Sequence, residues 1–270
     1  MTGPEVTVVQ AIVLGVLQGA TEFFPVSSSG HLVLAQTLLG LEEPELGFDI
    51  LLHLGTLIAV LLFLREEISS VLRSVFRTEK AFGEQPWGRR DVLLLFAASV
   101  PTGVIGYAFH DVVEAGIGLR AVGIWYLFLT AFLLLSSLRI RHKADPERIE
   151  LWEAVAIGIL QGLAVFPGLS RSGSTISLAL LLGIGASRGA KFSFFLSIPA
   201  ILGAAVLQLA GGASDLPGPA SCALGFLGSL VVGYLALAFV ERVVIRGKFP
   251  LFAPYTLLLA AASFWIYWRG

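Results

Sequence analysis

Two short stretches carry chemically capable side chains inside apolar sequence: QGATEFFPVSSSGH at 18–31 and FPGLSRSGSTIS at 166–177. Gln18 and Glu22 are four apart, so they share one face of a helix. Glu22 is suited to hold Mg²⁺ or Ca²⁺; Mg²⁺ in particular binds through one or two carboxylates plus substrate phosphates. Gln18 adds a neutral oxygen or a hydrogen bond. His31 follows Gly30 and suits an acid, a base or a nucleophile. A lone histidine is ordinarily a satisfied structural residue; beside Ser27, Ser28, Ser29 and Glu22 the site reading outweighs that. Arg171 is the counter-charge. A cation at the centre of a membrane helix costs about 2.5–3.5 kcal/mol even on the lenient insertion scale, so an anionic ligand or an internal pair with Glu22 must offset it. Both can hold before a substrate arrives. Guanidinium forks bind phosphate oxygens bidentately. Ser170, Ser172 and the backbone donors near Thr175, where a helix is expected to open at about 174, suit the same anion.

The rest of the chain says where this chemistry sits. Of 270 residues, 56% are hydrophobic and 14% charged, with a net charge of −1. A soluble domain carries about 25% charged residues, so most of this chain faces lipid or itself. The charge gives no case for nucleic acid. Lone Cys222 excludes an internal disulfide. The N-terminus has no basic n-region and is not read as a cleaved signal peptide.

A bilayer core of about 30 Å needs roughly 20 apolar helical residues. Six segments qualify: 47–64, 91–110, 119–138, 190–210, 220–240 and 250–268. Residues 7–40 and 151–183 are apolar at both ends and broken by Pro/Ser/Gly clusters. Non-helical backbone at membrane depth is tolerated only inside protein or around water, so both are read as re-entrant helical hairpins. The basic residues of 65–90, 139–150, Arg188, Lys191 and 242–248 place 15 of the 18 Lys/Arg on one side, taken as cytoplasmic. Glu42, Glu43, Glu45, Asp111, Glu114 and Asp215 then lie opposite, and both termini are expected outside.

The two hairpins are copies. Without gaps, 15–40 matches 158–183 at 11 of 26 positions, among them Gly15, Gln18, Gly19, Ser27 and Gly30. Each hairpin with three spans makes one repeat, about 7–138 and about 151–268. An odd number of crossings inverts the second copy. The expected fold is an all-α integral membrane protein forming a single membrane domain, with an inverted-topology repeat whose breaks meet near the midplane. The G-x-x-x-G spacings at Gly15/Gly19 and Gly158/Gly162 permit close helix packing. The copies differ where chemistry needs asymmetry: Glu22 faces Val165, Ser28 faces Arg171, and His31 faces Ser174. Weaker polar intrusions are His53 in LLHLGT, the edge pair His110–Asp111, and the helix-start residues Glu150 and Glu153.

These two segments resemble the signatures of the undecaprenyl-diphosphate phosphatase family, also called the bacitracin-resistance family: [E/Q]-x-x-x-E with P-V-S-S-x-G-H, and P-G-x-S-R-S-x-x-T. The likeness runs along the whole chain, including FSFFLSIP at 192–199. It implies a multi-pass enzyme of the bacterial plasma (inner) membrane that hydrolyses undecaprenyl diphosphate to the monophosphate and phosphate. That recycles the lipid carrier for peptidoglycan and confers bacitracin resistance, the antibiotic competing for the same lipid. The family's divalent cation fits Glu22, and its essential arginine and histidine fall on Arg171 and His31. Expected partners are the polyprenyl diphosphate, the bilayer and a possible further copy of the chain. Departures are Gln18 for an acid, Lys191 where an acid precedes FSF, and Thr256 where an arginine often follows the tyrosine. SSSGH is also similar to a box of type 2 phosphatidic acid phosphatases, but the second histidine those need is replaced by the region of Ser177. The nucleophile stays open among Ser28 activated by His31, His31 itself and a metal-bound water. The alternative class is a transporter or flippase for an anionic or polyprenyl-phosphate substrate, which needs binding but no acid–base or metal chemistry.

Overall fold

The computed structural model describes residues 6–38, 46–76, 87–114, 118–139, 148–210 and 216–269. They form helices α1 (Val8–Phe23), α2 (Ser28–Leu38), α3 (Leu46–Phe63), α4 (Arg65–Phe76), α5 (Arg89–Ala108), α6 (His110–Glu114) and α7 (Leu119–Ser136). After them come α8 (Leu151–Leu163), α9 (Arg171–Leu181), α10 (Ala186–Ala210), α11 (Pro219–Ile245) and α12 (Ala253–Arg269). No strand occurs among the described residues. Glu42, Glu43, Glu45, Asp215, Arg77, Lys80, Arg141 and Lys143 lie outside them.

Among the described residues, five helical segments are long and apolar enough to cross a bilayer: α5, α7, α10, α11 and Phe249–Arg269. The expected span at 47–64 is helical as α3, but reaches that length only together with α4, from which it bends by 67°. The large side chains on the outside are apolar, including Phe96, Val104, Val206, Leu235 and Leu258. This is a multi-pass membrane protein.

Residues 65–76, read above as loop, are helix α4. Its acids Glu66 and Glu67 sit in the first turn and Arg73 in the last, complementing the helix dipole. Ser70 Oγ ties it to the Trp87 carbonyl at 3.0 Å. Helices α10 and α11 also overrun their expected ends, with α10 starting at 186 and α11 reaching 245. Helical bonding there extends past the purely apolar stretch and ends where Gly247 takes a positive φ.

The broken segments are helix–break–helix units. Thr7 caps α1 reciprocally with Gln10, and Glu150 with Glu153 does the same for α8. Pro25 and Pro167 follow the two first arms, where a missing N–H and a fixed φ stop a helix. The first arms make their most extensive packing across to the other half. A Cβ on Gly15 would collide with the Gly225 carbonyl of α11, and one on Gly158 with the Ala98 carbonyl of α5. Thus α1 lies along α11 and α8 along α5.

One end of the molecule gathers charge. Arg90 pairs with Glu150 at 3.1 Å, Arg188 with Asp91, and Lys191 with Glu67 at 2.5 Å and Glu241 at 3.6 Å. Arg188 also stacks over Trp87, 3.6 Å from the ring centroid. Lys191, the departure noted before FSF, is therefore the hub of a two-carboxylate cluster joining α4, α10 and α11.

Candidate active site

The two breaks interlock. The Phe24 carbonyl accepts from Ser170 Oγ at 3.4 Å and Ser172 Oγ at 3.2 Å. In return the Gly168 N–H donates to Ser27 Oγ at 3.1 Å. Gly173 lies so close to Pro25 that an added Cβ would be 2.8 Å from the proline Cβ. Ser27 holds this contact with φ at +65°, a left-handed conformation rare for a residue with a side chain. Such a conformation persists only where surrounding bonds fix it, and it is a feature of functional sites. Here it turns the chain so that α2 starts at Ser28 beneath Glu22.

Glu22 is the centre, 8% exposed. Its Oε1 accepts from Arg171 Nη2. Its Oε2 accepts from Ser28 Oγ at 2.9 Å and Gln18 Nε2 at 3.1 Å, and faces His53 Nε2 at 3.8 Å. The acid of one break and the guanidinium of the other are an ion pair, one of the two outcomes the sequence left open. Arg171 Nη1 is buried with no protein partner among the described residues, which leaves a donor for an incoming anion.

Helix α9 starts at Arg171, three residues before the expected position, because Ser170 is its N-cap and accepts from Gly173 N at 3.2 Å. Arg171 and Ser172 thereby fall in the first turn, whose N–H groups have no intrahelical acceptor. Thr175 is placed differently: its hydroxyl donates to the Arg171 carbonyl at 2.7 Å and meets Ser193 Oγ at 2.6 Å. It braces the first turn against α10.

His31 stands apart from Glu22. Its Nδ1 lies 2.8 Å from the Ser27 carbonyl and its Nε2 2.7 Å from Tyr255 Oη. A carbonyl only accepts, so Nδ1 carries the hydrogen and, in the neutral ring, Nε2 accepts from the phenol. Ser28 is hydrogen-bonded to Glu22 and not to His31. The Ser–His pairing that their spacing suggests does not form here; the Ser28–Glu22 pairing does. Tyr255, Tyr126 (whose hydroxyl donates to the Val26 carbonyl at 3.3 Å) and His53 are the neighbours that sequence reasoning underweighted. His53 was visible only as a polar intrusion, and Tyr255 as the tyrosine opening the last span.

A divalent cation fits this donor set. Glu22 offers a carboxylate, Ser28 a hydroxyl, and Gln18 an amide oxygen that is buried without a partner among the described residues. No group of three or more His, Cys, Asp or Glu occurs among the described residues. One carboxylate with substrate phosphates completing the shell is the pattern of Mg²⁺. Beside the break, a cavity of about 650 Å³ begins at Phe24 and runs between Phe239, Val243, Leu251 and Phe252, with Arg242, Arg246 and Lys248 at its edge.

The family model for the bacitracin resistance protein BacA matches residues 11–262. The chain belongs to the BacA family. Among similar proteins, the undecaprenyl-diphosphatase of Desulfosudis oleivorans is 42% identical over 269 residues, covering 96% of this chain and 98% of its own. That of Carboxydothermus hydrogenoformans is 41% identical, over 93% and 94% of the two chains. That of Methanobrevibacter smithii is 39% identical, over 95% and 96%. The BacA match spans both breaks and every helix that packs on them.

Proposed function

We propose that this chain is an undecaprenyl-diphosphatase: it hydrolyses undecaprenyl diphosphate to undecaprenyl phosphate and inorganic phosphate. The observation that carries the reading is the buried Glu22–Arg171 pair, one partner from each break, with Ser28 on the same carboxylate. The activity recycles the lipid carrier for peptidoglycan synthesis and gives bacitracin resistance, since bacitracin competes for the same lipid.

Arg171 holds the diphosphate. Its open Nη1 takes a phosphate oxygen while Nη2 stays on Glu22, and Ser170, Ser172 and the first-turn N–H groups of α9 complete the cradle. Ser27 orders the break through Gly168, and Thr175 fixes the first turn against Ser193. A bound Mg²⁺ or Ca²⁺, held by Glu22 and Gln18, supplies charge neutralisation on the phosphate oxygens. Glu22 is placed to accept the Ser28 proton as the Ser28 oxygen attacks phosphorus and the bridging P–O bond breaks opposite, releasing undecaprenyl phosphate; water then cleaves the Ser28 phosphoester, giving inorganic phosphate and restoring the Ser28 hydroxyl. His31, its tautomer set by Ser27, acts with Tyr255 at the other side of the break. The isoprenoid tail extends from Phe24 along the apolar cavity into the bilayer.

The same reading gives the topology. Six spans and two re-entrant hairpins form one membrane domain as an inverted repeat. This is supported by the reciprocal packing of α1 on the second span of the other half and of α8 on its counterpart. The charged end faces the cytoplasm of the inner membrane, and both termini face outward.

The test is phosphate release from undecaprenyl diphosphate by detergent-purified protein with Mg²⁺, with EDTA, and for Glu22→Gln and Arg171→Ala. Release that requires the metal and drops at least about 100-fold in both folded variants is expected. Wild type that binds the lipid but releases no phosphate overturns the reading in favour of carriage.

A further inference from the structure

Glu22 meets one more group that the phosphatase reading leaves unused. His53 on α3 holds its Nδ1 2.7 Å from the Asp49 carbonyl. The carbonyl can only accept, so Nδ1 carries the hydrogen and the neutral ring presents its Nε2 lone pair. That lone pair points at Glu22 Oε2 across 3.8 Å. At 3.8 Å the two atoms are too far apart for a direct hydrogen bond and leave room for an ion between them. Donors 3.8 Å apart and each bound to one ion at about 2.1–2.2 Å subtend roughly 120–130°, within the spread of four- and five-coordinate sites. A ring nitrogen whose partner N–H is pinned by a backbone carbonyl is the usual arrangement of a metal-bound histidine. Gln18 Oε1 is buried without a partner among the described residues, on an amide whose Nε2 donates to the same carboxylate. His53 is partly buried, its side chain 34% exposed.

We propose that His53 is the third protein ligand of the divalent cation, beside Glu22 and Gln18. The proposal rests on the diphosphatase reading of this site and deepens it. Gln18 stands where an acid is expected and removes one anionic donor; the imidazole restores a strong donor without charge. It also changes selectivity. Imidazole nitrogen suits first-row transition ions, whereas Mg²⁺ and Ca²⁺ take oxygen ligands; Mn²⁺, the weakest of the first-row series, accepts either donor and so reports whether the imidazole is bound. For that ion to bind, the Gln18 amide turns its oxygen inward and leaves Oε2, while Ser28 Oγ–H keeps its bond to Glu22.

The test uses the full detergent-purified chain and Mn²⁺ alone, titrated by electron paramagnetic resonance, with pulsed detection of nitrogen-14 coupling. Wild type, His53→Gln, His53→Ala and Glu22→Gln are compared, with Ca²⁺ as competitor. Wild type is expected to bind Mn²⁺ with directly bound imidazole coupling. Both His53 variants lose that coupling and bind Mn²⁺ about 10-fold or more weakly; His53→Gln, which keeps an oxygen donor, retains its Ca²⁺ affinity. Glu22→Gln loses both ions. An unchanged metal-free melting temperature in His53→Gln shows that the fold is intact. The ligand assignment is overturned by coupling that persists in His53→Gln, by wild-type Mn²⁺ without nitrogen coupling, or by no Mn²⁺ binding at all. Phosphate release by the same wild-type preparation is read separately. Active protein whose Mn²⁺ lacks nitrogen coupling sinks the ligand and leaves the diphosphatase; nitrogen-bound Mn²⁺ without turnover does the reverse.

Discussion

Ser28 is where the chemistry divides between two routes. Its hydroxyl donates to Glu22, so a serine nucleophile has its base in place without His31. Ser28→Ala is expected to lower phosphate release at least about 1,000-fold, a nucleophile-sized loss, while leaving Mg²⁺ and lipid binding within a few-fold. Near-normal turnover in that variant would hand the attack to water or to His31. Tyr255→Phe removes one hydrogen bond to His31, worth about 1 kcal/mol. Turnover should fall several-fold without change in lipid affinity; an unaltered rate would make the phenol a bystander. Ser27 tests backbone against side chain. Glycine accepts the φ of +65°, so Ser27→Gly loses the hydroxyl's contacts with Gly168 and Ser29, whereas Ser27→Val must also strain the turn. Valine should therefore cost more melting temperature and more activity than glycine. The spacing of Glu22, Ser28 and His31 was legible in the sequence. Which pairs with which was not, because the left-handed turn at Ser27 sends Ser28 to the carboxylate and His31 toward α12.

At the scale of the helices, the repeat explains why the site can exist. Each first arm stops shortly before a proline and takes its most extensive packing from a neighbour in the other half. Gly15 and Gly158 are the contact points, and a side chain there displaces backbone rather than a flexible side-chain end. Gly15→Leu or Gly158→Leu should reduce the yield of folded protein sharply and lower its melting temperature in detergent. Gly203→Leu, on α10 with nothing within 4 Å, should leave both unchanged; an equal loss there would remove close packing as the cause. The copies diverge in use. Gln18 reaches Glu22, whereas its counterpart Gln161 donates to the Leu196 carbonyl at 3.2 Å and stays structural. Matching letters showed that both arms exist. That α1 would lie on α11, and α8 on α5, came only from the assembled helices.

Over the whole molecule, charge is sorted to one end, and its pairs are partly buried. The side chains of Arg188 and Asp91 are 12% and 10% exposed. Removing one partner of such a pair strands the other, at a cost of about 3–5 kcal/mol. Asp91→Ala is thus expected to lower the melting temperature far more than Glu150→Ala, whose pair with Arg90 is open to water. Sidedness is testable on a Cys222→Ser background, with a membrane-impermeant thiol reagent on intact cells and inverted vesicles. Arg73→Cys and Arg148→Cys should label only from the cytoplasmic face, and Asp111→Cys only from the other. The reverse pattern would invert the topology. Composition, span lengths, the two breaks and the polar residues within them were fixed by local sequence, because hydrophobicity and proline stops act over a few residues. The family likeness followed from the same motifs. Only the tertiary structure decided that Glu22 pairs with Arg171 149 residues away, and that His53 and Tyr255 join the site from other helices. Those contacts depend on how rigid helices cross, and spacing along the chain carries no record of crossing.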